Sequence, residues 1–124
     1  MTEVALAVVR PPANSFAGGL TTQDLGTPDL GLALEQHAAY RLALEDAGVD
    51  LVELPPDEAF PDSTFVEDTA VVTARGVVVT RPGAPSRAGE TAAIAEALAR
   101  LGAPLRTMDP PGRVDGGDVC QVGE

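Results

Sequence analysis

Apolar positions along this chain fall into short blocks whose spacing switches between strand-like and helical. A brief strand-like run leads into Val8-Val9-Arg10-Pro11. In Glu35–Pro56, EQHAAYRLALEDAGVDLVELPP, apolar residues recur at helical spacing and put Tyr40, Leu44 and Ala47 on one face. Gly48 can take the left-handed conformation that closes a helix, a strand over Leu51–Leu54 follows, and Pro55-Pro56 ends it. Phe65–Thr73 and Gly76–Thr80 read as two strands joined by Ala74-Arg75. Gly89–Pro110, GETAAIAEALARLGAPLRTMDP, predicts a second helix with Ile94, Leu98 and Leu101 on one face, a stop at Gly102 and a strand over Leu105–Met108. A last strand is expected over Asp118–Val122.

These blocks form a repeat. A constant shift overlays Ala38-Ala39 on Ala92-Ala93, Ala43-Leu44 on Ala97-Leu98, Gly48 on Gly102 and Leu51 on Leu105. Upstream, VVRPPANS at Val8–Ser15 echoes VTRPGAPS at Val79–Ser86, and the first copy has a longer connection containing Gly18-Gly19-Leu20-Thr21-Thr22. Such a connection serves either as a binding loop or as a plain surface insertion. The unit is strand, strand, helix, strand. One copy is complete, one precedes it with its start trimmed, and a third begins near Asp115 with a strand but no helix. Repeats stabilise one another by stacking, so an open last unit leaves an apolar face uncovered. The expectation is an α/β chain cut short, its isolated form poorly folded or oligomeric; a homodimer fits.

Composition narrows the function. At 124 residues the chain is one domain's worth, and 44% apolar with 22% charged content makes it globular rather than disordered. Aromatics make up only 3%, which leaves the core to Val, Leu and Ala. All eight basic residues are arginine and the net charge is −11, so no basic stripe exists to neutralise nucleic-acid phosphates. The acidic balance suits a cationic ligand, although it also serves solubility. Met1–Arg10 lacks the basic flank and apolar core of a signal peptide, and no apolar run approaches a membrane span. A single cysteine cannot form an internal disulfide, which suits a reducing cytoplasm.

The candidate chemistry is acidic. Asp62, Glu67 and Asp68 lie in or beside FPDSTFVEDTAVV, and Asp115 and Asp118 lie in DGGDV. A single aspartate in such a turn is ordinarily a solvated one. Five carboxylates at the mouths of apolar strands instead point to a pocket for a positively charged small molecule, because buried carboxylates need cationic or hydrogen-bonding partners. In a regular strand the neighbours Glu67 and Asp68 would face opposite ways, so both reach one ligand only if the strand bends or begins there. One Cys and one His cannot form a structural zinc site, and no metal or cofactor is expected. His37 reads as a packed helix residue and Cys120 as a small buried thiol in a strand.

RPPANSFAGGLTT, EQHAAY, FPDSTFVEDTAVV, RPGAPSRAGE and DGGDV follow one another in an order that resembles the dimethylarginine dimethylaminohydrolases of the guanidino-group modifying superfamily. The resemblance runs from Arg10 to Val119. It implies a pentein fold, a five-bladed α/β propeller of ββαβ units, of which this chain holds about two units plus the first strand of a third. Members are about twice this length, so residues 1–124 resemble the N-terminal part of one catalytic domain. The implied reaction is hydrolysis of methylated arginine to citrulline and methylamines through a cysteine thiolate, with a histidine as acid and base. By the same resemblance, Glu67 and Asp68 grip the guanidinium, while Asp62 and the Leu20 carbonyl hold the α-amino group. Arg87 holds the carboxylate, Phe65 walls the methylated end, Asp115 orients the histidine, and Asp118 also faces the site. Neither His37 nor Cys120 matches the family's catalytic positions, so this chain is expected to show no turnover alone. Two alternatives are an arginine or citrulline hydrolase of the same superfamily and a non-catalytic guanidino-binding module.

Overall fold

The computed structural model describes residues 5–123. It is mixed α/β and divides into two compact units, one ending at Thr64 and the other starting at Phe65. The first unit contains β1 (Leu6–Val9), α1 (Leu30–Asp46) and β2 (Asp50–Glu53), with β1 and β2 paired in parallel from Leu6↔Asp50 to Val9↔Glu53. A helical crossover is what a parallel pair requires. The second contains β3 (Ala70–Thr73), β4 (Gly76–Val79), α2 (Thr91–Arg100) and β5 (Leu105–Thr107). Its sheet runs β3-β4-β5, antiparallel in the first pair and parallel in the second. Strand, strand, helix, strand therefore stands complete in the second unit.

Both helices close in the same way, as the repeat requires. Gly48 has φ +84° and Gly102 φ +80°. Gly48 N–H donates to Glu45 O and Val49 N–H to Leu44 O, while Gly102 donates to Ala99 O and Ala103 to Leu98 O. This paired arrangement satisfies the last-turn carbonyls of each helix. The start of α1 lies ahead of the expected Glu35: helix begins at Leu30, capped by Asp29, which accepts the Leu32 N–H at 2.9 Å.

Four expectations are corrected. The half-buried face of α1 carries Ala33, His37, Arg41 and Leu44, whereas Tyr40 is 53% exposed and Ala47 is exposed. On this helix apolar residues lie all round, so periodicity alone could not select the inner face. In α2 the buried residues are Ile94, Ala97 and Leu98, and Leu101 is exposed. The strand expected over Phe65–Thr73 begins only at Ala70, because Val66–Thr69 forms a 3₁₀ turn closed by Thr69 Oγ1 on Val66 O at 2.6 Å. The strand expected over Asp118–Val122 is absent; Gly116–Asp118 is another 3₁₀ turn, and residues 119–123 have no regular structure. There the Gln121 side chain, not a backbone ladder, donates to Val72 O of β3. Among the described residues, no helix is long and apolar enough to cross a membrane.

Candidate functional site

In the first unit the acid singled out by sequence, Asp62, lies in a turn that follows Phe60 and closes around the buried Ser63. Its Oδ2 accepts the Leu20 N–H at 3.0 Å, so the long connection after β1 is fastened to the FPDST segment. Gly19 is required there by space: a Cβ would stand 2.5 Å from Asp62 Oδ1 and 3.2 Å from Phe16 O. The Leu20 side chain is 60% exposed. The conformation of this loop is thus set by the backbone of Leu20 rather than by burial of its side chain. A second carboxylate, Glu58, accepts the N–H groups of Asn14 and Ser15 at 2.9 and 3.1 Å and caps the 3₁₀ turn Asn14–Gly18. Arg10 is buried and pairs with Asp57 at 3.6 Å, and Thr64 Oγ1 donates to its carbonyl.

In the second unit Glu67 and Asp68 lie within the 3₁₀ turn, not in a strand, so the alternation of a strand does not apply to them. Both side chains border Gly117: a Cβ there would lie 2.6 Å from Asp68 Oδ1 and 3.8 Å from Glu67 Cγ. The chain passes closer still at Gly116, where a Cβ would fall 2.0 Å from the Glu67 carbonyl oxygen. The two acidic motifs, FVED and DGGD, therefore meet through two glycines, Gly116 closed to a side chain by backbone and Gly117 crowded by the Asp68 carboxylate. Asp68 Oδ1 accepts the Gly117 N–H at 3.0 Å, and Thr80 Oγ1 donates to the Asp68 carbonyl at 2.7 Å.

Arg87 completes this arrangement. Its Nη1 donates to Asp68 Oδ2 at 2.7 Å. Its other edge makes a two-pronged pair with Glu90, Nε to Oε2 at 2.8 Å and Nη2 to Oε1 at 2.7 Å. Glu90 is only 2% exposed and Arg87 9%. The Glu90 hydrogen bonds, and after them that of Asp68, raise the Arg87 pKa well above the ordinary arginine value against the opposing effect of burial. To receive a ligand carboxylate, Arg87 would have to exchange one of these partners. Phe65 is 42% exposed, and its carbonyl accepts from the Asp68 N–H at 3.1 Å and from Arg87 Nη2 at 3.4 Å.

Asp115 is half-buried and accepts the Gly83 N–H at 3.2 Å, tying DGGD to the loop after β4; Asp118 is exposed at the end of its turn. His37 belongs to the half-buried face of α1, its ring 6.1 Å from that of Tyr40, and burial followed by the Arg41 charge lowers its pKa below the usual 6.5. Cys120 is exposed, which corrects the buried-thiol expectation; with no strand at this position, nothing packs it inward. No group of three or more His, Cys, Asp or Glu among the described residues could hold a metal ion. Sequence reasoning missed Glu90, although its i, i+3 spacing from Arg87 is a helical-turn signal for an ion pair.

No family model matches the chain. It is 48% identical over 118 residues to N(G),N(G)-dimethylarginine dimethylaminohydrolase of Pseudomonas aeruginosa, covering 94% of this chain and 46% of that protein. It is 46% identical over 119 residues to the Streptomyces coelicolor protein of the same name, covering 95% and 46%. Among solved structures, the Pseudomonas aeruginosa enzyme complexed with citrulline superposes with a TM-score of 0.93 at 47% identity, covering 98% of this chain and 48% of that one. The chain spans about half the length of the relatives it matches.

Proposed function

Because this chain belongs to the dimethylarginine dimethylaminohydrolase family, we propose that it supplies the cation-binding part of an enzyme hydrolysing methylated arginine to citrulline and methylamines. The observation that carries this reading is the convergence of Glu67 and Asp68 on Gly117, with Asp68 held from behind by Arg87. The Asp68 carboxylate is held in orientation by a backbone N–H and a guanidinium donor, which suits it to a planar cation. In this reading Glu67 and Asp68 take the substrate guanidinium and Phe65 walls its methylated end. Asp62 and the Leu20 carbonyl take the α-amino group, and Arg87 takes the carboxylate by exchanging a partner. Asp115 orients the catalytic histidine, and Asp118 also faces the site. Attack on the guanidinium carbon belongs to a cysteine thiolate that Cys120 does not match.

Residues 1–124 are read as part of one pentein-type catalytic domain, about two ββαβ units of a propeller and the start of a third, acting in the cytoplasm. The test is calorimetric titration of the purified chain with asymmetric dimethylarginine, together with an assay for citrulline. Binding that is lost in Asp68→Ala, with no citrulline formed, is the expected result. Absence of binding by the unmodified chain would refute the assignment of these acids to the substrate, and citrulline formation would return Cys120 to candidacy as nucleophile.

A further inference from the structure

Glu90 takes no part in the substrate contacts proposed for this site, yet it is the most completely buried carboxylate among the described acids. A carboxylate so placed is costly unless its oxygens are satisfied, and both of them are, by Nε and Nη2 of Arg87. The pair fixes the guanidinium plane and leaves Nη1 directed at Asp68 Oδ2. Its effect on charge is larger. Arg87 alone would cancel Asp68; with Glu90 present, the three groups carry one net negative charge, and of the two carboxylates Asp68 is the more exposed, 20% against 2%, and also meets the Gly117 amide.

We propose that Glu90 is a positioning residue for the cation site: by clamping and neutralising Arg87, it leaves Asp68 both rigid and electrostatically free to attract the guanidinium of a ligand. This rests on the assignment of Asp68 to a guanidinium ligand. It differs from a merely structural role in what it predicts for charge. Glu90→Gln keeps nearly the same shape and one acceptor but removes the compensating charge, leaving Arg87 to neutralise Asp68.

Citrulline is the neutral near-isostere of arginine, so the ratio of its affinity to that of asymmetric dimethylarginine isolates the cationic end. The shared α-amino and carboxylate contacts cancel in that ratio. In calorimetric titrations of the whole chain, Glu90→Gln is expected to lower the affinity for dimethylarginine relative to that for citrulline by about tenfold or more. Glu90→Asp, which retains the charge, should keep the ratio near that of the unmodified chain. Equal weakening of both ligands in Glu90→Gln would reduce Glu90 to a packing element and overturn the proposal, as would an unchanged ratio. If Glu90→Gln does not fold, a Glu90→Asp ratio that shifts away from that of the unmodified chain refutes the inference on its own. An unmodified chain that binds neither ligand would instead overturn the functional reading on which this step stands.

Discussion

Adding one methyl group at Gly117 tests how the acidic motifs are joined. The backbone has no positive φ there, so Gly117→Ala carries no penalty of the left-handed kind. The new Cβ would stand 2.6 Å from Asp68 Oδ1, whereas carbon–oxygen contacts settle at about 3.3 Å or more. The carboxylate must therefore withdraw by most of an ångström. That oxygen now accepts the Gly117 N–H at 3.0 Å, so withdrawal takes the bond out of hydrogen-bonding range. Arg87 holds the other oxygen at 2.7 Å and opposes any rotation that would restore it. A hydrogen bond to a charged group contributes about 1.5–3 kcal/mol, and partial exposure of the Asp68 side chain, 20%, argues for the lower end of that range.

The expected loss is about 1.5–2 kcal/mol of stability, read from the urea midpoint at unchanged slope, with guanidino-ligand affinity falling about tenfold. A double-mutant cycle makes the reasoning specific. In an Asp68→Ala background the clashing oxygen is gone, and Gly117→Ala should then cost close to nothing. If Gly117→Ala is as damaging without Asp68 as with it, the cost lies in the backbone and the clash with the carboxylate is not its cause.

Two further predictions concern the histidine and the cysteine, the residue types on which the reaction would turn. Burial lowers the His37 pKa, so the folded state binds fewer protons than the unfolded one as pH falls below 6.5; stability present above that value should decline on acidification, and His37→Gln should flatten this part of the profile measured by urea unfolding. An unchanged slope would mean that His37 titrates alike in both states. Cys120, being exposed, should react with a maleimide in the native chain at close to the rate in denaturant, and strong native protection would restore the buried-thiol expectation.

How much could be read in advance depended on the range of the interactions. The glycine stops at Gly48 and Gly102 were legible because a left-handed cap is a local event, settled within a few residues. The strand, strand, helix, strand order of the second unit was legible for the same reason. The inner face of α1 was not, since Leu32, Leu34 and Leu42 are as apolar as its inward residues and yet stay exposed. Nor was the early end of strand character around Val66–Thr69. There the backbone follows the Asp68 carboxylate, whose partners lie 19 and 49 residues away.

By itself, then, the sequence determined the helices and their stops, the repeat, and where its acidic residues cluster, because propensity, capping and charge are properties of neighbouring residues. Only the tertiary structure decided that Glu67 and Asp68 share the edge of one glycine, that Arg87 is clamped by Glu90, and that no strand forms over Asp118–Val122. Those outcomes hang on close approaches between distant segments, where the absence of a Cβ or the desolvation of one carboxylate outweighs local preference.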